Sequence, residues 1–399
     1  MSNIVIIGGS FGGLTAAIQL KRLLGHEHRI TVVSDNDNFV FMPSVPWVAL
    51  GWRSAKDVTI DLKKLLPPKE IYFTHSPAKF IDADQQKVIT EKGVTPYDYL
   101  VITTGPHLDF EAIPGLGPDK GYTESIFTLE HAEKTYSSWQ KYLAKGGPVV
   151  IGATQGVSCF GPSYELILEI DHQLRKLGKR SKTPLCFVTS EPYLSHFGLG
   201  GVGKSRRMME DEFAERDIKV LCNAVVDEIL PDRVSLKDGT ELPFKFSMFA
   251  PPFRGVDAVV DSGLGNPKGW LIVDEYYRHR KYQNIYGAGV ALGIAPPENT
   301  PIPTGVPKTG SMTYTMAKIA AHNIKCDLKG GAKISLPVDE IGVTCFTDMG
   351  NTAALMVAKP ALPPRQTVIL KKKRWVRWMK LAFERYFMTK MKTGALYLP

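Results

Sequence analysis

The first stretch of the chain alternates apolar strands with one helical pattern, in the order of a nucleotide-binding βαβ unit. Residues 3–8 form a short apolar run, residues 8–13 are a glycine-rich turn, and residues 14–24 repeat apolar side chains at helical spacing. A second apolar run follows at residues 29–33. In such a unit the pyrophosphate of a dinucleotide lies at the N-terminus of the helix. The turn is therefore predicted to bind phosphate.

A second strand, turn and helix pattern lies at residues 147–165, and its turn carries Cys159. A pyridine-nucleotide turn needs glycine close to the pyrophosphate, whereas Thr154 and Val157 occupy those positions here. The pattern predicts that a redox thiol has replaced a nucleotide in this pocket. Binding of NADH is accordingly disfavoured.

Two further strand-to-turn elements are predicted at residues 103–105 and 287–290, and a helix is predicted over residues 311–325. With the turn at residues 8–13, they enclose the second nucleotide-like unit, residues 148–290. Strands that alternate with helices form parallel sheets covered on both faces. We therefore expect an α/β fold of two interleaved Rossmann-like dinucleotide-binding domains, followed by a C-terminal amphipathic segment that contacts a membrane.

Composition places the 399-residue chain among ordinary globular proteins of two or three domains, with 44% hydrophobic and 22% charged residues. Its five cysteines have neither a CxxC pair nor a metal-ligand spacing, so no disulfide framework and no metal site are expected. The N-terminus runs directly into a strand, which argues against a cleaved signal peptide. No window of about 20 residues lacks charge, so a spanning helix is not expected.

The net charge of +9 is concentrated near the C-terminus. Residues 371–392 contain nine Lys or Arg and one acid, Glu384, which gives +8 and leaves +1 for the rest of the chain. Apolar side chains recur there at helical spacing: Trp375, Met379, Phe383, Tyr386 and Phe387. The pattern predicts contact with an anionic lipid surface rather than nucleic acid. The alternative is a helix docked on the protein's own core.

Six short motifs carry a family resemblance, and they lie at residues 41–48, 102–106, 152–162, 190–193, 306–310 and 343–350. Together they resemble the sulfide:quinone oxidoreductases, flavoproteins related to type II NADH dehydrogenases and flavocytochrome c sulfide dehydrogenases. The resemblance covers nearly the whole chain. It implies oxidation of sulfide to sulfane sulfur or polysulfide, with electrons passing through two cysteines and non-covalent FAD to a membrane quinone.

The resemblance also implies a division into four segments. These are a first part of the FAD-binding domain (1–110), a second Rossmann-like domain with Cys159 (111–285), a second part of the FAD-binding domain (286–330) and a C-terminal segment with Cys345 (331–399). It further implies a peripheral, monotopic protein of the cell membrane. A homo-oligomer is left open.

Carried onto this sequence, the resemblance implies that Cys159 and Cys345 are the redox pair. The amides of a helix N-terminus are expected to lower the pKa of Cys159. His131, His196 and Glu165 are candidate proton carriers near the pair. Each has a structural alternative: a small buried cysteine, a packed histidine, or a solvated or capping carboxylate.

The implied FAD contacts follow the glycine turns and strand ends: Gly8, Gly9, Ser10, Phe11, Gly12, Gly13, Ser34, Asp35, Pro43, Pro77, Thr104, Gly105, Gly289, Val290 and Lys308. Within this set, Ser34 and Asp35 are expected at the ribose. Lys308 is expected to stabilise anionic reduced flavin. Phe346 and Phe387 are candidates to flank the quinone ring.

Two positions depart from the family pattern. Phe127 stands where many relatives carry a third cysteine, so the other two are expected to work as a pair. Val290 stands where wider relatives often carry an Asp, which weakens the interpretation as an NADH dehydrogenase. The remaining cysteines, Cys186, Cys222 and Cys326, are expected to be structural. Two other functions stay open, a type II NADH:quinone oxidoreductase and a non-catalytic flavin-binding persulfide sensor.

Overall fold

The structure, a computed structural model, describes residues 1–393, so residues 394–399 of the predicted C-terminal segment 331–399 lie outside it. The α-helices of the described residues are α1 (Phe11–Leu24), α2 (Val45–Ala49), α3 (Ala55–Val58), α4 (Leu62–Leu65), α5 (Leu129–Lys145), α6 (Gly161–Lys176), α7 (Ser205–Glu215), α8 (Asp257–Asp261), α9 (Gly310–Lys329) and α10 (Arg374–Thr393). The strands are β1 (Asn3–Ile7), β2 (Arg29–Ser34), β3 (Asn38–Val40), β4 (Thr59–Asp61), β5 (Tyr72–His75), β6 (Ala78–Asp82), β7 (Lys87–Thr90), β8 (Gly93–Pro96), β9 (Tyr99–Ile102), β10 (His107–Leu108), β11 (Val149–Ala153), β12 (Leu185–Thr189), β13 (Ile218–Leu221), β14 (Val226–Ile229), β15 (Arg233–Leu236), β16 (Glu241–Pro243), β17 (Phe246–Ala250), β18 (Phe253–Arg254), β19 (Ile285–Gly287), β20 (Val343–Asp348), β21 (Ala353–Lys359) and β22 (Thr367–Lys373).

Two parallel sheets form the centre of the fold. The first has the strand order β19-β9-β1-β2-β5, and the second has the order β13-β12-β11-β17. Every residue of β11, β12 and β17 is buried, which explains why the sequence reads there as continuous apolar runs instead of alternating ones. The predicted fold of two Rossmann-like units is confirmed.

The turn between β1 and α1 requires glycine for close packing. A Cβ on Gly13 would lie 1.8 Å from the Gly8 carbonyl oxygen, and Gly8 itself has φ of +110°. The helix begins at Phe11, three residues before the first position of the helical pattern, because that pattern counts only apolar side chains and not the glycines of the first turn. Helix α1 packs along α9, as expected for the two helices of one nucleotide-binding unit.

The C-terminal part is a three-stranded antiparallel sheet, β20-β21-β22, followed by α10. Strand β20 contacts α9 of the first unit and α6 of the second. The C-terminal sheet therefore bridges the two units. No helix within residues 1–393 combines the length and the apolar character that crossing a membrane requires.

The interpretation of residues 371–392 as one basic surface needs correction, because three of the nine cations point inward. Lys380 is 3% exposed and pairs with Glu165, Arg377 pairs with Asp348, and Lys372 pairs with Glu212. Charge alone could not distinguish these cations from exposed ones, since their partners lie on distant elements. The alternative of a helix docked on the core holds for one face of α10. The other face is exposed, and its contact with a lipid surface stays a prediction.

Candidate active site

Strand β20 is held on both sides of Cys345. On one side, the Ser311 hydroxyl at the start of α9 donates to the Thr344 carbonyl (3.1 Å) and accepts from the Thr344 amide (3.0 Å). On the other, the Asp348 amide donates to Glu165 Oε1 of α6 at 2.6 Å. These bonds fix Cys345 between the two nucleotide-like units.

Cys159 lies in the turn between β11 and α6, two residues before the helix begins. The turn is held by residues 303–305, because Gly156 N donates to the Pro303 carbonyl at 3.1 Å and Gly305 N donates to the Val157 carbonyl at 2.8 Å. Cys159 is within electrostatic range of Cys345 and of Lys308. The structure thus brings together the two cysteines that the sequence singled out.

Both thiols are shifted toward the protonated form. Burial raises the pKa of Cys159 to about 11, and the Lys308 cation only partly opposes this. Burial raises the pKa of Cys345 to about 12; the Glu165 carboxylate adds to it, and Lys380 opposes it. The expected lowering of the Cys159 pKa is therefore wrong, because desolvation outweighs the helix amides and the lysine. In both reduced cysteines, burial therefore favours the thiol over the thiolate.

A buried ionic cluster lies beside Cys345. Glu165 Oε1 accepts from Lys380 Nζ at 2.6 Å, and Asp348 accepts from Arg377 Nε at 3.3 Å. The structural alternative for Glu165 was a solvated or capping carboxylate. The buried pair with Lys380 contradicts that alternative. Burial raises its pKa, with Lys380 opposing that shift.

The two candidate histidines lie outside this cluster. His131 contacts Ser125 Oγ through Nδ1 at 3.1 Å, and its Nε2 is 3.8 Å from Asp119. His196 is buried, accepts from Gly198 N at Nδ1 and contacts Glu298 through Nε2 at 2.9 Å. Within the described residues, none of these contacts joins either imidazole ring to a cysteine. The proton-carrying roles of His131 and His196 therefore stay predictions.

The predicted cofactor positions gather at one edge of the first sheet. Its five strands are parallel, and the residues that follow or end them meet at the carboxyl edge. This edge is reached by Gly8, Gly9 and Ser10 after β1, by Ser34 and Asp35 at β2, by Pro77 after β5, by Thr104 and Gly105 after β9, and by Gly289 and Val290 after β19. These residues are spread over nearly 300 positions of sequence, yet the ends of the predicted strands were enough to assign them to one edge of the sheet.

An aromatic cluster lies against the same edge. Phe11, at the start of α1, has its ring centroid 5.2 Å from that of Phe387, and Phe387 also packs on Phe41 at 5.1 Å, close to Pro43 in the chain. Phe346 joins through Phe383, with centroids 6.3 Å apart. The two quinone candidates are therefore linked by Phe383, which the sequence placed in the membrane-facing stripe instead.

Comparison with known proteins identifies the family. Residues 2–317 match the pyridine nucleotide-disulphide oxidoreductase family. The chain is 44% identical over 400 residues to the sulfide-quinone reductase of Aquifex aeolicus, which covers 98% of this chain and 91% of that protein. The chain belongs to this family, and within it to the sulfide-quinone reductases.

The solved structure of the Aquifex aeolicus sulfide:quinone oxidoreductase superposes with a TM-score of 0.94 at 43% identity, covering 99% of this chain and 92% of that one. The type II NADH:quinone oxidoreductase of Staphylococcus aureus is more distant, at 23% identity over 375 residues and 90% of each protein. The family resemblance drawn from the six motifs is confirmed.

Proteins of this family and fold bind FAD, and the carboxyl edge of the first sheet fits that cofactor. Ser10 caps α1 without a side-chain hydrogen bond, which leaves the first helix amides for a pyrophosphate. A Cβ on Gly9 would lie 2.9 Å from Ser34 Oγ, so the turn needs glycine to pass the end of β2. Gly105 has φ of +74° and open space around its Cα. The residues present therefore form a sterically suitable phosphate cradle.

Sequence reasoning missed several residues of the buried cluster beside Cys345. Lys380 and Arg377 were counted as surface charges, while Trp47 and Asp348 were quoted only as parts of motifs. The sequence of helix α6 contained a signal for this cluster. Glu165, and Glu169 one helical turn later, lie in an otherwise apolar run. Acids in a buried stretch need cationic or hydrogen-bonding partners elsewhere in the chain.

Proposed function

We propose that the protein oxidises sulfide at the Cys159–Cys345 pair and passes the electrons through non-covalently bound FAD to quinone. The observation that carries this proposal is the convergence of the two cysteines between the two nucleotide-like units, with Lys308 near Cys159. The strong similarity to a sulfide-quinone reductase supports the same reaction. When bound, FAD supplies a two-electron acceptor that can be reoxidised by quinone.

The chain's own residues would act at three points. Hydrosulfide attacks one sulfur of the oxidised pair, forming a persulfide there and breaking the Cys159–Cys345 bond, so that the other cysteine leaves as a thiolate. Lys308, whose pKa burial lowers to about 8, lies within electrostatic range of Cys159 and stabilises negative charge there. Phe346 and Phe387 would flank the quinone, and Lys380 with Glu165 would supply its protons.

Anaerobic mixing of the FAD-loaded protein with sulfide tests the proposal. Sulfide is expected to bleach the flavin absorbance, and a short-chain quinone is expected to restore it. Bleaching by NADH alone would instead indicate a type II NADH:quinone oxidoreductase. No bleaching by either donor would favour a non-catalytic persulfide sensor and would overturn the proposal.

The same sample is expected to oxidise NADH only at the rate measured without protein. Glu191, two residues after β12, lies where the sequence would place a nucleotide ribose, but its carboxylate is already engaged. It accepts hydrogen bonds from Tyr164 Oη at 2.7 Å, Thr189 Oγ1 at 2.8 Å and Phe197 N at 2.7 Å. A ribose hydroxyl would have to displace one of these buried bonds. The measurement is NADH absorbance with quinone present, and quinone-dependent NADH turnover in a sulfide-active sample would contradict it.

We further propose that the outer face of α10 anchors the protein peripherally to an anionic membrane, with residues 371–392 as the contact. Trp375 and Trp378 are 51% and 73% exposed, and Met379 and Tyr386 are exposed beside them. The same segment also contains five exposed cations: Lys371, Lys373, Arg374, Arg385 and Lys392. Tryptophans in an interface and lysines or arginines near anionic head groups both favour binding, at about 1 kcal/mol per cation.

The double substitution Trp375→Ser and Trp378→Ser is expected to weaken binding to anionic liposomes about tenfold, because the loss of two interfacial indoles costs roughly 1.5 kcal/mol. Co-sedimentation measures it, with Tyr122→Ser as the control, since Tyr122 is 50% exposed outside the C-terminal segment. Deleting α10 is a poor test because Val376 and Phe387 are buried in the core. Unchanged binding of the double variant would contradict the anchor.

A further inference from the structure

The buried cluster beside Cys345 has more carboxyl groups than cations. Glu165, Glu169 and Asp348 face two cations, Lys380 and Arg377. Glu165 and Glu169 are four residues apart in helix α6. Their side chains therefore lie on one face of the helix, with the two Cβ atoms about 5–6 Å apart. Full ionisation would leave one uncompensated charge in the interior, which is far more costly than holding a proton.

Within residues 1–393, Glu169 is the carboxyl of this cluster that has no cation among its hydrogen-bond partners. Its Oε1 accepts from Trp47 Nε1, a neutral donor, at 2.7 Å. Its Oε2 is buried and has no hydrogen-bond partner within residues 1–393. Lys380 instead donates to Glu165 and lies 4.7 Å from the centroid of the Trp47 ring. The surplus proton of the cluster is therefore assigned to Glu169. Burial, and then the neighbouring Asp348 and Glu165 carboxylates, also raise the pKa of Glu169.

The other charged groups packed around this cluster do not alter the balance. On α6, burial lowers the pKa of His172, which favours its neutral form. The buried Asp171 is paired separately, with Arg175, Arg180 and Arg216. Arg53, which lies 4.8 Å from the centroid of the Trp47 ring, pairs with Glu384 of α10 at 2.8 Å, and this pair is neutral as a unit. The excess of one carboxyl therefore persists when these neighbours are included.

The proposed reaction is short of one proton in each turnover. Oxidation of hydrosulfide to sulfane sulfur releases one proton and two electrons, while reduction of quinone to quinol consumes two electrons and two protons. One further proton must therefore come from the protein and ultimately from water. The cluster has one carboxyl more than it has cations, so it can hold one proton. That number equals the one proton that each turnover requires.

We propose that Glu169 stores one proton and delivers it, across one turn of α6, to the Glu165–Lys380 pair when quinone is reduced. Glu169 does not touch the reacting atoms and acts through that pair; it becomes a carboxylate on delivery and is refilled from water. The inference rests on the proposed quinone reduction, but the storage of the proton in the oxidised protein does not depend on any turnover.

Infrared spectroscopy of the oxidised protein tests the storage directly. The parent protein at neutral pH is expected to have a protonated-carboxyl C=O band that shifts in D₂O and disappears in Glu169→Gln. Trp47→Phe is expected to keep the band and move it to higher frequency, because the carboxyl loses its hydrogen-bond donor. Persistence of the unaltered band in Glu169→Gln, or its absence from the parent protein, would overturn the proposal.

Turnover against pH tests the delivery. For Glu169→Gln, kcat with sulfide and quinone is expected to match the parent closely at acid pH and to fall roughly tenfold below it at alkaline pH, where water supplies protons slowly. The KM for quinone and the rate of flavin bleaching by sulfide are expected to stay within twofold. A kcat ratio independent of pH would overturn delivery. If the parent flavin is not bleached by sulfide, the proposed function fails, while the infrared result still decides storage.

Discussion

Replacing either Cys159 or Cys345 with serine is expected to reduce sulfide-dependent quinone reduction by at least about 10³-fold, the largest effect that the site predicts. A hydroxyl cannot form the disulfide that hydrosulfide attacks, nor leave from it as a thiolate. The loss should therefore appear in kcat and in the rate of flavin bleaching alike. The measurement is anaerobic stopped-flow bleaching together with steady-state turnover.

Two controls separate lost chemistry from lost folding. FAD occupancy, read from absorbance, is expected to remain near that of the parent, because the phosphate cradle at residues 8–13 lies on a different turn. Cys222→Ser provides a matched thiol, half-buried just after β13 and outside the site, and should retain parental turnover. Either active-site variant turning over at near the parental rate with FAD bound would rule out the two-cysteine mechanism.

Local sequence patterns predicted those parts of the site that lie next to one another in the chain. The turn at residues 8–13 and the turn that carries Cys159 each follow an apolar strand and precede a helix, so their geometry depends on neighbouring residues. The family motifs then supplied Cys345 as the partner. Its position depends on long-range bonds from Ser311 and Glu165, which no local pattern contains.

The ionic cluster could not be predicted in the same way. Lys380 is one of nine cations in a basic segment, and only its depth in the fold distinguishes it from the others. Likewise, Phe383 and Phe387 share the helical spacing of Trp375 and Met379, although the first two pack inward on Phe41. The periodicity predicted the helix, but it placed Phe383 and Phe387 in one stripe with Trp375 and Met379. Which face packs against the core depends on the position of the C-terminal sheet, chiefly β21 and β20.

Lys380→Met is expected to destabilise the folded protein by about 3–5 kcal/mol near neutral pH, because it leaves Glu165 buried without its cation. The size of the loss should depend on pH with a definite sign. Burial already raises the pKa of Glu165, and removing Lys380 raises it further. At pH values between the pKa of Glu165 in the unfolded chain and its higher pKa in the folded protein, only the unfolded chain releases the proton. The free energy of unfolding therefore falls by up to about 1.4 kcal/mol per pH unit as the pH rises. The loss is thus expected to be smaller at pH 5 than at pH 8.

Urea denaturation of the FAD-saturated protein at both pH values measures this dependence. Adding Glu165→Gln to Lys380→Met should recover part of the lost stability at pH 8, because the neutral amide no longer needs a cation. Lys371→Met, at an exposed position of β22, removes the same charge from the segment and should change stability by less than about 0.5 kcal/mol. A loss equal at both pH values, or no recovery in the double variant, would mean that Lys380 stabilises the fold by packing alone. The buried carboxyls would then not be coupled to it.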